Sequence, residues 1–124
     1  MKDVVRSSVE AIRKNVYAEC GFELTEFHIE KESEEYHACT FTLNGVAVIY
    51  RNAKITPTKT GQFVTLWKRT GSGPIQPLSL SDNFNFVIIN VQKDRHQGQF
   101  VFTKAILYEK GIISSALKEG KRAI

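Results

Sequence analysis

The stretch from Arg51 to Arg69, RNAKITPTKTGQFVTLWKR, holds the densest grouping of residues able to do chemistry. Arg51, Lys54, Lys59, Lys68 and Arg69 supply positive charge, and Thr56, Thr58, Thr60, Gly61 and Gln62 lie between them. Hydroxyls, backbone N–H groups near a glycine and lysine ammonium groups all donate to phosphate oxygens. Trp67 and Tyr50 offer flat faces on which bases stack. The expected nucleic-acid-binding set is Arg51, Lys54, Lys59, Thr60, Gln62, Trp67, Lys68 and Arg69. The same composition also suits a hairpin loop with solvated lysines and a tryptophan in the core. The GxxxxGK[ST] pattern is absent, so this is not a P-loop.

A second possibility lies in the acids. Residues 30–35, EKESEE, carry Glu30, Glu32, Glu34 and Glu35, and Asp82 follows later in the chain. Carboxylates converging with Lys54 would let Mg²⁺ activate water against a phosphodiester. No segment reads as PD followed by D/E-x-K, and an acidic turn is ordinarily solvated surface. No catalytic residue is assigned on this basis, and no cofactor is expected apart from Mg²⁺ under that alternative. His28, His37 and His96 form no HExxH, HxH or His–Cys pattern, and His28 and His37 read as strand residues. No serine sits in a GxSxG elbow. Lys104, at the start of a short helix, is placed to hold an anion or simply to be solvated.

The charge distribution suits the phosphate reading and a plain solvated surface equally. Residues 1–36 hold five Lys/Arg against nine Asp/Glu, whereas residues 37–124 hold twelve against four. Such asymmetry marks a polyanion partner, DNA or RNA, or two surface halves that pair with each other. A hydrophobic share of 42% and a charged share of 24% exclude a disordered chain. No run approaches the ~20 apolar residues of a membrane span, and MKDVVRSSVEAIRKN lacks the basic head and apolar stretch of a signal peptide. Cys20 and Cys39 show no CxxC spacing and read as reduced, buried thiols. The expected compartment is the cytoplasm.

These residues need elements to hold them. Val5, Val9, Ile12, Val16 and Cys20 recur at steps of four and three, which predicts an amphipathic helix over 3–20. Asp3 is its expected N-cap and Gly21 its stop. Strands are expected over 22–31, 36–43, 46–51, 63–69, 84–91 and 99–103. Asn44-Gly45 supplies the positive φ values of a two-residue turn between the second and third. The apolar run FVIINV suggests a strand covered on both faces. Residues 93–98, KDRHQG, read as a polar turn and 70–83 as a surface loop. A short helix over 104–110 has Thr103 as cap and Gly111 as stop. The expected fold is α+β: a mostly antiparallel sheet of five to six strands, packed by an N-terminal helix and a second short helix.

AKITPTKTGQFVTLWKR, GPIQPLS, FVIINV, GQFVFTKAILYEKGIISS and EGKR, in that order, resemble the MepB family of bacterial proteins. The resemblance covers almost the whole chain and implies one MepB-like domain over 1–124. It implies a genetic neighbourhood, beside a multidrug efflux pump and its repressor, and not a reaction. No catalytic set is carried over. Family members continue past the basic turn, so the resemblance implies that a C-terminal segment is missing here. The family's layout is similar to restriction-endonuclease-like and nucleic-acid-binding folds, an analogy of fold alone. The leading expectation is a nucleic-acid-binding protein. The alternatives are a metal-dependent nuclease-like phosphodiesterase, or a protein or small-ligand interaction module tied to drug response.

Overall fold

The computed structural model describes residues 2–30, 36–55, 62–64, 66–69, 75–93, 96–115 and 120. Helix α1 runs Lys2–Ile12 and passes into a π-helical turn, Arg13–Tyr17, rather than continuing as a regular helix to residue 20. Ala18 N donates to Arg13 O at 2.8 Å and Phe22 N to Tyr17 O at 2.7 Å, both across five residues. An added residue in a helical turn rotates everything after it by about 100°. Val9 and Ile12 are therefore buried as expected, but Val16 is 41% exposed and Tyr17 takes its place in the core. Cys20, expected to be buried, is exposed for the same reason. Asp3 falls inside α1 rather than before it.

The main sheet has five strands in the order β1-β2-β3-β8-β9. They are β1 (Leu24–Ile29), β2 (Cys39–Leu43), β3 (Val46–Asn52), β8 (Phe86–Lys93) and β9 (His96–Thr103). Neighbours run antiparallel except β3 and β8, which are parallel. The fold is α+β, as expected. The β2–β3 hairpin turns at Asn44 (φ 50°) and Gly45 (φ 80°), the conformation that Asn-Gly adopts at low cost. Strand β8 is buried on both faces through Val87, Ile88 and Ile89. The 93–98 turn is tighter than its polar sequence suggests, because β8 extends to Lys93 and β9 begins at His96.

Two expected strands differ. Residues 36–38 form a turn in which His37 has φ 50°, so this histidine is not a strand residue. The expected strand 63–69 is divided: β5 (Gln62–Phe63) pairs with β4 (Lys54–Ile55), while β6 (Trp67–Arg69) pairs with β7 (Ile75–Pro77). Between β5 and β6, Val64 and Leu66 are buried at 2% and 0% exposure, which draws this segment onto the core instead of into the sheet plane.

Apolar packing covers both faces of the sheet. On one face Val9, Ile12 and Tyr17 meet Phe41, Val48, Tyr50 and Ile88. Tilted rings link Tyr17 to Phe41 at 6.0 Å and Phe41 to Tyr50 at 5.9 Å. On the other, Val87 and Ile89 meet Tyr36, Val64, Leu66, Leu78, Phe84, Leu107 and Ile113. Leu107 comes from α2 (Lys104–Glu109), whose cap is Thr103: its Oγ1 accepts from Ile106 N at 3.2 Å. Gly111, at φ 72°, ends it. Among the described residues no helix is long and apolar enough to cross a membrane.

Candidate functional site

The parallel pair β3–β8 carries an apolar run that ends, on both strands, in asparagine. Asn52 lies opposite Asn90 in the register, and Ala53 N donates to Asn90 O at 2.9 Å. Both carboxamides project on the face covered by α1, since they alternate in step with Tyr50 and Ile88. Asn90 Nδ2 donates to Asn52 Oδ1 at 3.1 Å, and Tyr50 Oη donates to the same oxygen at 2.8 Å. Gln97 Nε2 donates to Asn90 Oδ1 at 2.9 Å. Asn52 Nδ2 then meets His37 Nδ1 at 2.8 Å.

This network fixes the imidazole tautomer. Asn52 Oδ1 is occupied by two donors, so its Nδ2 is the donor to His37, and His37 Nδ1 accepts. The ring proton therefore sits on Nε2. Burial lowers the His37 pKa from its ordinary value near 6.5, which holds the ring neutral at pH 7. Asn90, only 3% exposed, would be costly to bury without these partners.

The same end of the sheet receives the segments singled out in the sequence. Tyr36 and His37 follow the acid-rich residues 30–35, and Lys54 opens the Thr/Lys-rich stretch just past Asn52. Lys54 Nζ lies 5.8 Å from the centroid of the Tyr36 ring, so the two segments meet at their described ends. Lys54 is exposed and Tyr36 is 6% exposed.

The expected phosphate-binding residues are not all placed alike. Arg51 is buried at 3% exposure, whereas a place on the basic surface was expected. Alternation puts it on the face opposite Tyr50, and its Nη1 donates to Tyr50 O at 2.9 Å. Burial lowers its pKa, while attraction to Glu30 works the other way. Gln62 lies on β5, whose pairing with β4 puts it opposite Ile55, while Lys54 is opposite Phe63. Trp67, Lys68 and Arg69 form β6, on a separate two-stranded ribbon, and their side chains lie outside the described residues. Lys59 and Thr60 also lie outside them.

The chain matches the MepB-like family model over residues 30–124. It belongs to the MepB-like family. It is also similar to a solved protein, the crystal structure of MepB, with a TM-score of 0.79 at 31% identity, over 94% of this chain and 77% of that one. No curated protein matches it.

Other candidate groups in this MepB-like chain have structural work. Asp82 Oδ2 accepts from Ser79 N at 2.8 Å, closing the turn before β8. Lys104 Nζ donates to Leu80 O at 3.1 Å and to Asp82 O, and lies 4.6 Å from the Phe84 ring centroid. It therefore ties α2 to that turn. Among the described residues, no three His, Cys, Asp or Glu side chains gather in a group able to hold a metal ion. Glu32, Glu34 and Glu35 lie outside them. Sequence reasoning missed the His37–Asn52–Asn90–Gln97 network. The available signal was an asparagine closing each of the two apolar strands, VAVIYRN and FVIIN.

Proposed function

We propose that this MepB-like protein binds nucleic acid in the cytoplasm, holding phosphates with Lys54, Lys59, Thr60, Gln62, Lys68 and Arg69, with Trp67 stacking on a base. The observation that carries this reading is the exposed Lys54 at the sheet end where the basic, Thr-rich stretch begins. The excess of twelve Lys/Arg over four Asp/Glu in residues 37–124 supports a polyanion partner. Arg51 has no phosphate role in this reading, because its side chain is inside the fold.

The test is a fluorescence-anisotropy titration with short single- and double-stranded DNA and RNA at two salt concentrations, first with EDTA and then with Mg²⁺. Affinity should fall steeply with salt. Lys59→Ala and Lys68→Ala should each lower the logarithmic salt slope by about 0.7–0.9 on every sequence alike. Absence of binding at low salt would discard the reading.

A metal-dependent phosphodiesterase is the second reading, favoured by the contact between Tyr36, which follows the acidic segment, and Lys54. It requires product that appears only with Mg²⁺ or Mn²⁺ and disappears in Lys54→Ala. Product that survives both changes counts against it.

A further inference from the structure

The sheet face under α1 is polar at one end and apolar at the other. At the apolar end a cavity of about 550 Å³ opens between the sheet and the π-helical turn. Val48, Phe86 and Ile88 form its floor, and Val16, Phe22 and Val101 stand at its rim. The rim residues are 41%, 46% and 58% exposed, so the apolar surface continues to the mouth. Such a volume lies in the range of small-molecule sites.

Tyr17 and Gln99 also line the cavity. Tyr17 Oη donates to Gln99 Oε1 at 3.2 Å. Gln99 Nε2 is buried, with no hydrogen-bond partner among the described residues. A buried amide left this way costs stability, and the last torsion of a glutamine is soft, so a small rotation presents the N–H to an occupant. Among the described residues, no Asp, Glu, Lys, Arg or His lines the cavity. Burial pushes the Tyr17 hydroxyl up to about 12, so it too is uncharged near neutrality. The π turn is what makes the site. It exchanges Val16 for Tyr17 in the core, leaving an apolar residue at the mouth and a hydroxyl beside Gln99.

We propose that this cavity binds a small uncharged molecule with an apolar body and one carbonyl or ether oxygen, which accepts from Gln99 Nε2. The site is separate from the proposed phosphate surface and does not depend on it.

The test is a ¹H–¹⁵N NMR titration of the whole chain with two probes of nearly equal shape, benzophenone and diphenylmethane. Benzophenone should shift the amides of Val16, Phe22 and Val101 and the side-chain amide of Gln99. Diphenylmethane, lacking the acceptor, should bind the same residues about 5- to 10-fold more weakly. Gln99→Leu should abolish that preference, and Val101→Trp, at an exposed position, should block both probes. Equal affinity for the two probes, or no shifts at these residues, overturns the proposal. Shifts of the same amides on dilution without any probe would assign the face to a second copy of the chain, and also overturn it.

Discussion

Asn90 donates to Asn52 at 3.1 Å across the parallel pair β3–β8, and this bond helps orient the Asn52 amide that meets His37 at 2.8 Å. Because Asn52 Oδ1 already accepts from Tyr50 and Asn90, only its Nδ2 faces the imidazole. Asn52→Asp keeps the two acceptor bonds and replaces the donor with a carboxylate oxygen. His37 Nδ1 must then carry a proton, and a neighbouring anion favours the imidazolium. The expected result is a His37 pKa raised above its ordinary 6.5, where the parent value lies below it. Histidine C–H shifts followed by NMR against pH decide this; an unchanged titration would mean that Asn52 does not set the tautomer.

Acidification should destabilise the fold through the same residue. The folded pKa of His37 is depressed, so below about 6.5 the unfolded chain binds more protons than the folded one. Its contribution is fully present above pH 6.5 and is lost as pH falls below that value. His37→Gln keeps an acceptor for Asn52 without a titrating group. Urea melts at pH 7.5 and 5.5 should show a smaller loss of stability for this variant than for the parent chain. An equal loss in both would assign the acid sensitivity to other groups.

Much of the fold is legible in the residues because local rules and core packing agree. Asn44-Gly45 demands positive φ, Thr103 caps α2, and VII in β8 has apolar neighbours on both faces. The misreadings came where tertiary packing overrode local pattern. Val64 and Leu66 carry a strand-like alternation, yet the core holds them and pairs β5 and β6 with different partners. The π turn is invisible to a period of 3.6, since it shifts that period by one residue between Ile12 and Tyr17. At the site, side-chain type alone did not reveal that Arg51 points inward while Lys54, three residues on, is exposed. Nor did it join Asn52, Asn90 and Gln97, which meet through the sheet register, with His37, which reaches Asn52 from the turn before β2.

The two cysteines should differ sharply toward thiol reagents. Cys39 is fully buried, and burial pushes its thiol up to about 12, so almost no thiolate forms in the folded state at pH 8. Cys20, exposed after the π turn, is open to attack. A disulfide-exchange chromogen should titrate one thiol in native buffer and two in denaturant. Rapid reaction of both in native buffer would contradict the burial of Cys39.

Arg51 separates a role in folding from a role in phosphate binding. Its guanidinium is buried, donates to Tyr50 O and is attracted to the half-buried Glu30. Removing it strips donors from the interior and leaves those partners without them, a change of the kind that costs about 3 kcal/mol. Arg51→Ala should therefore lower the urea midpoint substantially, whereas Lys59→Ala should move it little. For nucleic acid the pattern should reverse: where Arg51→Ala remains folded, its salt slope should equal that of the parent chain, while Lys59→Ala lowers the slope. An Arg51→Ala protein with unchanged stability and a reduced slope would place the guanidinium on phosphate after all, and would refute its assignment to the core.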